Sequence, residues 1–180
     1  MTATTPSFPS RLPQVGTTIF STMSALAQQH QAVNLGQGFP DFGCDPRLLH
    51  AVTDAMHAGH NQYAPMPGIA ALRQAVSDKM LALYGRRYNA DSEITVTAGA
   101  TQGILTAILA CTQPGDEVIV LDPCYDSYVP NIELAGGRAV HVPLTPGTFR
   151  PDFARIAAAL TPRTRAIIVN TPHNPSASVW

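Results

Sequence analysis

A chain of 180 residues, 45% hydrophobic and 13% charged, is long enough to bury one sizeable core. Its formal charge of −1, with no basic run, argues against nucleic acid or an anionic membrane as partner. Cys44, Cys111 and Cys124 are odd in number and lack CxxC spacing, which favours a reducing compartment over a disulfide framework.

No apolar run approaches the roughly 20 residues of a membrane helix. The N-terminus has neither the basic nor the apolar region of a signal peptide. The expectation is a soluble, cytoplasmic protein.

In chain order, residues 1–16 hold Pro6, Pro9, Pro13 and Gly16 and read as an extended arm. Phe20, Met23, Leu26 and Ala27 follow helical spacing, and Ala32–Leu35 reads as a short strand leading into Gly36-Gln-Gly-Phe-Pro-Asp41. Pro46 opens a helix over 46–58 with Leu48, Leu49, Val52 and Met56 on one face and Gly59 as its stop. After the loop Asn61–Gly68, Leu72, Val76, Met80 and Leu83 mark the most periodic helix, closed by Gly85.

The order then becomes regular. Strands are expected at 94–97, 117–121, 138–142 and 165–169. Helices are expected at 101–111, 128–135 and 152–160, the last capped by Asp152. Strands alternating with helices imply a largely parallel sheet covered on both faces.

Chemistry gathers at the strand ends. Thr97-Ala-Gly-Ala-Thr-Gln-Gly103 joins a strand to a helix without bulky side chains, so the amides of Gly99, Ala100 and Thr101 can face an anion at a helix N-terminus. A plain tight turn with Thr101 as N-cap is the competing reading. The segment is not a Walker A loop, and Gly36-Gln-Gly38 is not a dinucleotide fingerprint, because Asp41 stands where the third glycine belongs.

Asp122-Pro-Cys-Tyr-Asp126 presents Tyr125 at the same edge, either to stack on a flat cofactor or to pack under a loop. Asn170 and Asn174 offer two amides from a Pro-rich turn, where asparagine is common for turn geometry alone. A phosphate cradle, a stacking ring and paired amides on successive strand ends are harder to dismiss together than singly.

Five segments in order, Asn34–Asp41, Asn61–Gly68, Thr97–Gln102, Asp122–Tyr128 and Asn170–Pro175, carry a resemblance that runs from about Thr17 to Trp180. The chain resembles the N-terminal half of a class I, fold type I pyridoxal-phosphate aminotransferase. Methionine aminotransferases and kynurenine or glutamine–phenylpyruvate transaminases are the nearest types. The resemblance implies an α/β fold of fold type I, with a largely parallel sheet sandwiched by helices. Residues 1–45 would form an N-terminal arm and small-domain segment, and 46–180 the first part of the large cofactor-binding domain.

The resemblance also implies roles. Gly99, Ala100 and Thr101 would hold the phosphate of pyridoxal 5′-phosphate, and Tyr125 would stack on its ring. Asn174 would donate to the phenolic oxygen and reach the substrate carboxylate, with Asn170 supporting the turn. Gly38 would offer backbone to the substrate carboxylate, and Phe20 would line its apolar pocket. Tyr63 would reach the phosphate of the other subunit, implying a homodimer with shared active sites, and the substrates would be an amino acid and a 2-oxo acid. No metal is expected, since His57 and His60 have no third ligand nearby. Ala177 departs from the glycine that many members carry.

The family's Schiff-base lysine lies beyond Asn174, so no catalytic residue is assigned within this chain. Its one lysine, Lys79, falls off the apolar stripe of its helix and is expected at the surface. Transamination needs such an amine, so the 180 residues alone are expected to be inactive. A carbon–sulfur β-lyase of the same fold and a non-catalytic fragment are the alternatives. Of the remaining candidates, His57 and His60 read as a surface pair and Cys111 as core. Cys124 is either reactive or crowded, and His173 has no fixed role.

Overall fold

The computed structural model describes residues 9–38 and 40–180. Residues 1–8 of the expected arm, and Phe39 within the Asn34–Asp41 segment, lie outside the described residues. The chain divides into two compact units, one spanning Gly16–Val96 and the other Thr97–Trp180 with the preceding arm.

In the first unit, helix α1 (Ile19–Gln29) starts at Thr18, whose side chain accepts from the Ser21 amide. Helix α2 (Pro46–His57) starts as expected with Pro46 in its first turn, and Asp45 accepts from the Arg47 amide at 2.8 Å. Its apolar stripe is not buried here: Leu48, Leu49, Val52 and Met56 are all exposed. Helix α3 (Ala70–Tyr84) ends at Gly85, which takes the left-handed conformation that glycine adopts most readily (φ 68°).

The buried face of α3 is a polar one. Arg73 and Ser77 are its buried residues; the Arg73 guanidinium donates to the carbonyls of Gly68 and Ala90, and the Ser77 hydroxyl to that of Tyr88. These bonds fasten the 86–96 segment along the helix. Gly68 is confined to glycine twice over. Its φ is 96°, and a Cβ would come within 2.5 Å of Val96 Cγ2.

The expected strands at 32–35 and 94–97 do not form, because no strand runs beside either among the described residues. The Val96 amide is taken instead by the Pro67 carbonyl at 3.0 Å.

In the second unit, helix α4 (Gly99–Cys111) precedes β1 (Glu117–Asp122), α5 (Tyr128–Leu134), β2 (Arg138–Pro143), α6 (Phe153–Ala159) and β3 (Thr164–Ile168). The strands are all parallel in the order β2-β1-β3, with Ile119 opposite Val140 and Ile167. β1 is central, and its side chains alternate between two apolar layers. Val118 and Val120 meet Ile108 of α4 with Tyr128 and Ile132 of α5. Ile119 and Leu121 meet Val142, Leu144 and, from α6, Ile156. Each fully buried aliphatic side chain contributes roughly 1.5–3 kcal/mol. The sheet is therefore covered on both faces, as the alternation of elements implied.

One charged group is sealed into this unit. Glu117, at the start of β1, is fully buried. It accepts from Arg138 at 2.7 Å, from Arg163 at 2.8 and 2.9 Å, and from the Thr161 hydroxyl at 2.7 Å. These partners lie at or just before the starts of β2 and β3, so one carboxylate ties together the amino ends of all three strands. The arm is tied as well, since Arg11 donates to the Leu134 carbonyl at 2.8 Å.

Candidate functional site

Helix α4 runs antiparallel to the strands. Its last carbonyl, Cys111 O, accepts from Arg165 at the start of β3, which turns its first residues toward the carboxyl edge of the sheet. The helix begins at Gly99, two residues before the expected start, so Thr101 lies inside the first turn and is not its N-cap. Ala98 caps without a side-chain bond. At φ −74° and ψ 69° it centres an inverse γ-turn in which the Gly99 amide donates to Thr97 O at 2.8 Å.

The Gly99 amide is thus used internally and is not open to an anion. The amides of Ala100 and Thr101 remain open, because the first helical amides have no acceptor within the helix. The Thr101 hydroxyl makes no hydrogen bond among the described residues, and both residues are exposed. Gln102, given no role from sequence, accepts from the Ala98 amide and fixes the turn from behind. A glutamine soon after a helix start is the signal that would have found it.

Tyr125 follows β1 at the same edge. It is half-buried against the α4–α5 layer and meets Tyr128 edge-on, with ring centroids 5.7 Å apart. Cys124 beside it is packed against that layer, and burial, followed by the charge of Asp122, pushes its thiol up to about 11. The structure therefore favours crowding over reactivity. Cys111, expected in the core, is exposed, as is Cys44. At pH 8 only about a thousandth of Cys124 is thiolate. Iodoacetamide is therefore expected to label Cys44 and Cys111 well before Cys124, as read by peptide mass spectrometry.

The turn after β3 is held by its own bonds. The Asn170 side-chain oxygen accepts from the Asn174 amide at 2.8 Å. His173 N donates to Ser178 O, and Ala177 N to His173 O, each at 2.8 Å, with Ala177 at φ 59°. The small residue at 177 thus sits in a left-handed conformation, the reason glycine suits that position. Trp180 N and the Thr171 hydroxyl bond across the base. The side chain of Asn174 is exposed and makes no hydrogen bond among the described residues.

Six expected site residues, Gly99, Ala100, Thr101, Tyr125, Asn170 and Asn174, therefore share one unit and lie at the ends of elements that open on the sheet's carboxyl edge, where open α/β sheets place ligands. Asp122 and His141, 2.8 Å apart, share that edge, and no spacing in the sequence signalled their pairing. Tyr63, Gly38 and Phe20 belong to the other unit. All three are exposed, and Tyr63 lines an open hollow of about 630 Å³ with His60, Gln62 and Ile69.

An apolar groove of about 330 Å³ lies elsewhere, between Ile104, Ile108 and Cys111 of α4 and Ile167 of β3 with Val169 just beyond it. Lys79, His57 and His60 are exposed, as expected. Among the described residues no group of three or more His, Cys, Asp or Glu is placed to hold a metal ion, and no helix is long and apolar enough to cross a membrane.

Comparison with known proteins matches residues 30–180 to the family described as aminotransferase class I and II. Methionine aminotransferase of Escherichia coli is 56% identical over 95% of this chain and 44% of its own length. A probable kynurenine–oxoglutarate transaminase of Saccharomyces cerevisiae is 37% identical over 85% of this chain and 37% of its own. The crystal structure of the Escherichia coli methionine aminotransferase superposes with a TM-score of 0.93 over 97% of this chain and 46% of that one. N-succinyldiaminopimelate aminotransferase of Mycobacterium tuberculosis gives 0.91 at 46% identity, over 96% of this chain and 46% of its own. The chain spans less than half the length of the curated relatives it matches.

Proposed function

The chain belongs to the class I and II aminotransferases, and on that footing we propose that it supplies one wall of a pyridoxal 5′-phosphate site. The whole protein moves the amino group of a sulfur-containing or aromatic amino acid, methionine-like, to a 2-oxo acid. The observation that carries this reading is the 56% identity to a methionine aminotransferase across 95% of the chain.

The residues present fit the cofactor. Two open amides and a free hydroxyl at an uncapped helix start suit a phosphate. A half-exposed tyrosine suits the face of a pyridine ring, and an unengaged amide suits its phenolic oxygen. When bound, the cofactor supplies an electron sink for charge at the substrate Cα.

The chain's own residues hold and orient. Ala100 and Thr101 bind the phosphate on the bare backbone of Gly99, and Tyr125 packs against the ring. Asn174 donates to the ring oxygen and reaches the substrate carboxylate, and Asn170 supports it. In the other unit, Gly38 offers backbone to the carboxylate and Phe20 lines the side-chain pocket. Tyr63 reaches the phosphate of a second subunit in a homodimer. The protein works in the cytoplasm, with residues 1–45 as arm and small-domain segment and 46–180 as part of the large domain.

Titration with pyridoxal 5′-phosphate, read by quenching of Trp180, the only tryptophan, tests the cradle. Thr101→Ala removes one hydrogen bond to a charged group, so affinity is expected to fall roughly ten- to a hundredfold, with inorganic phosphate competing for the site. Unchanged affinity in the variant, or no binding by the parent chain, overturns the assignment.

A further inference from the structure

The turn that carries Asn170 and Asn174 rests on a buried histidine that none of the roles above uses. His173 is only 5% exposed although it sits between two exposed residues of a surface turn. Its ring Nδ1 lies 2.7 Å from the Ser176 hydroxyl oxygen, which also accepts from the Ser178 amide at 3.3 Å. The face of the ring lies against Trp180, with centroids 5.4 Å apart and planes tilted by 37°. Trp180 is itself anchored below, since its indole N–H donates to the Phe149 carbonyl at 2.9 Å and its ring joins the α6-side layer of the sheet. A continuous path of contacts thus runs from the core through Trp180 and the imidazole to the backbone of residue 173, whose next neighbour is Asn174.

We propose that His173 is a positioning residue. Locked by Ser176 and Trp180, it sets the direction in which Asn174 presents its side-chain amide. The role rests on the assignment of Asn174 to the cofactor and substrate. The backbone bonds of the turn leave its rotation about the strand end to be fixed from outside, because all of them close within residues 170–180. The His173–Trp180 stack refers the middle of the turn to the sheet, as the Thr171–Trp180 bonds do its base. A freely turning Asn174 would offer the same two amide donors over a wider cone, and a hydrogen bond weakens steeply once its angle closes.

The test uses His173→Phe, which keeps a ring against Trp180 and removes Nδ1, and His173→Asn, whose side-chain amide can replace the bond to Ser176. Asn174→Ala and the double variant His173→Phe/Asn174→Ala complete the set. Hydrogen exchange at the Asn174 and Ala177 amides is expected to quicken in His173→Phe and to recover in His173→Asn. Affinity for pyridoxal 5′-phosphate is expected to fall roughly three- to tenfold in His173→Phe, and the double variant to bind no more weakly than Asn174→Ala alone.

Unchanged exchange in His173→Phe overturns the proposal. So does a double variant weakened by the product of the two single effects, which would make His173 independent of Asn174. Failure of the parent chain to bind the cofactor overturns the functional reading and the positioning role with it. Binding by the parent chain that is indifferent to His173 removes the positioning role alone.

Discussion

Replacing Glu117 by alanine is expected to lower the thermal midpoint by on the order of 10 °C, measured by circular dichroism. The carboxylate is completely buried and satisfies Arg138, Arg163 and Thr161 at once. Its removal leaves two guanidinium groups facing each other across the start of β1. Glu117→Gln keeps the shape but loses the charge, and is expected to fall between the two.

The same site makes stability depend on pH in a stated direction. Arg138, Thr161 and Arg163 draw the Glu117 carboxyl down from 4.5 to about 2. A carboxyl depressed in the folded state stabilises it above its unfolded value, and that contribution fades as pH falls through the folded one. The midpoint should therefore drop between about pH 5 and pH 2, and Glu117→Gln should flatten that part of the profile. A profile equally steep in the variant would assign the acid sensitivity to other carboxylates.

The second large expectation concerns turnover. The 180-residue chain, supplied with pyridoxal 5′-phosphate, methionine and a 2-oxo acid, is expected to convert substrate no faster than the cofactor does free in solution. Proton transfer at the substrate Cα and covalent capture of the cofactor both need a positioned amine. The single lysine is Lys79, exposed on α3 beside Asp78. Borohydride reduction followed by peptide mass spectrometry should show Lys79 modified no faster than Nα-acetyl-lysine, whose ε-amine is free. Catalysed formation of the chain-retaining 2-oxo acid would overturn the expectation. Ammonia and pyruvate from a sulfur-substituted substrate would point to β-elimination.

Where local chemistry decides structure, the sequence was readable. Pro46, Asp152 and Gly85 mark helix ends at or within a residue of the observed ones, because caps act through their own backbone neighbours. The β-branched runs around Val118–Val120, Val140 and Ile167 became the three strands. Ile94–Thr97 has the same composition and did not, since a strand also needs a partner and composition does not supply one.

Burial was less legible. The stripe on α2 is exposed, Cys111 is exposed, and the buried positions of α3 are Arg73 and Ser77. For α3 the deciding acceptors, the Tyr88 and Ala90 carbonyls, lie 11 and 17 residues away. Glu117 carries no local signal of its burial, since its partner Arg163 is 46 residues away.

At the site, the glycine-rich turn, Tyr125 and the two asparagines could be picked out because their residue types suit the chemistry. The use of the Gly99 amide inside a γ-turn could not, because it depends on the dihedral angles of Ala98. His173 was visible only as a histidine of unassigned role, and its burial under Trp180 is a property of the folded turn.

The free side of β3 has a consequence of another kind. Among the described residues it pairs only with β1, and the groove beside it exposes Ile167 and Val169. A strand edge with unpaired peptide groups next to apolar surface is a template onto which another extended segment can lock, including the same strand of a second molecule. Proteins usually blunt such an edge with lysine, proline or a bulge. β3 has Arg165 and an irregularity near its start, but the stretch Ala166–Ile168 has no lysine, proline or register shift. How long this polypeptide stays dispersed at high concentration is therefore governed less by its charge of −1 than by what occupies that edge.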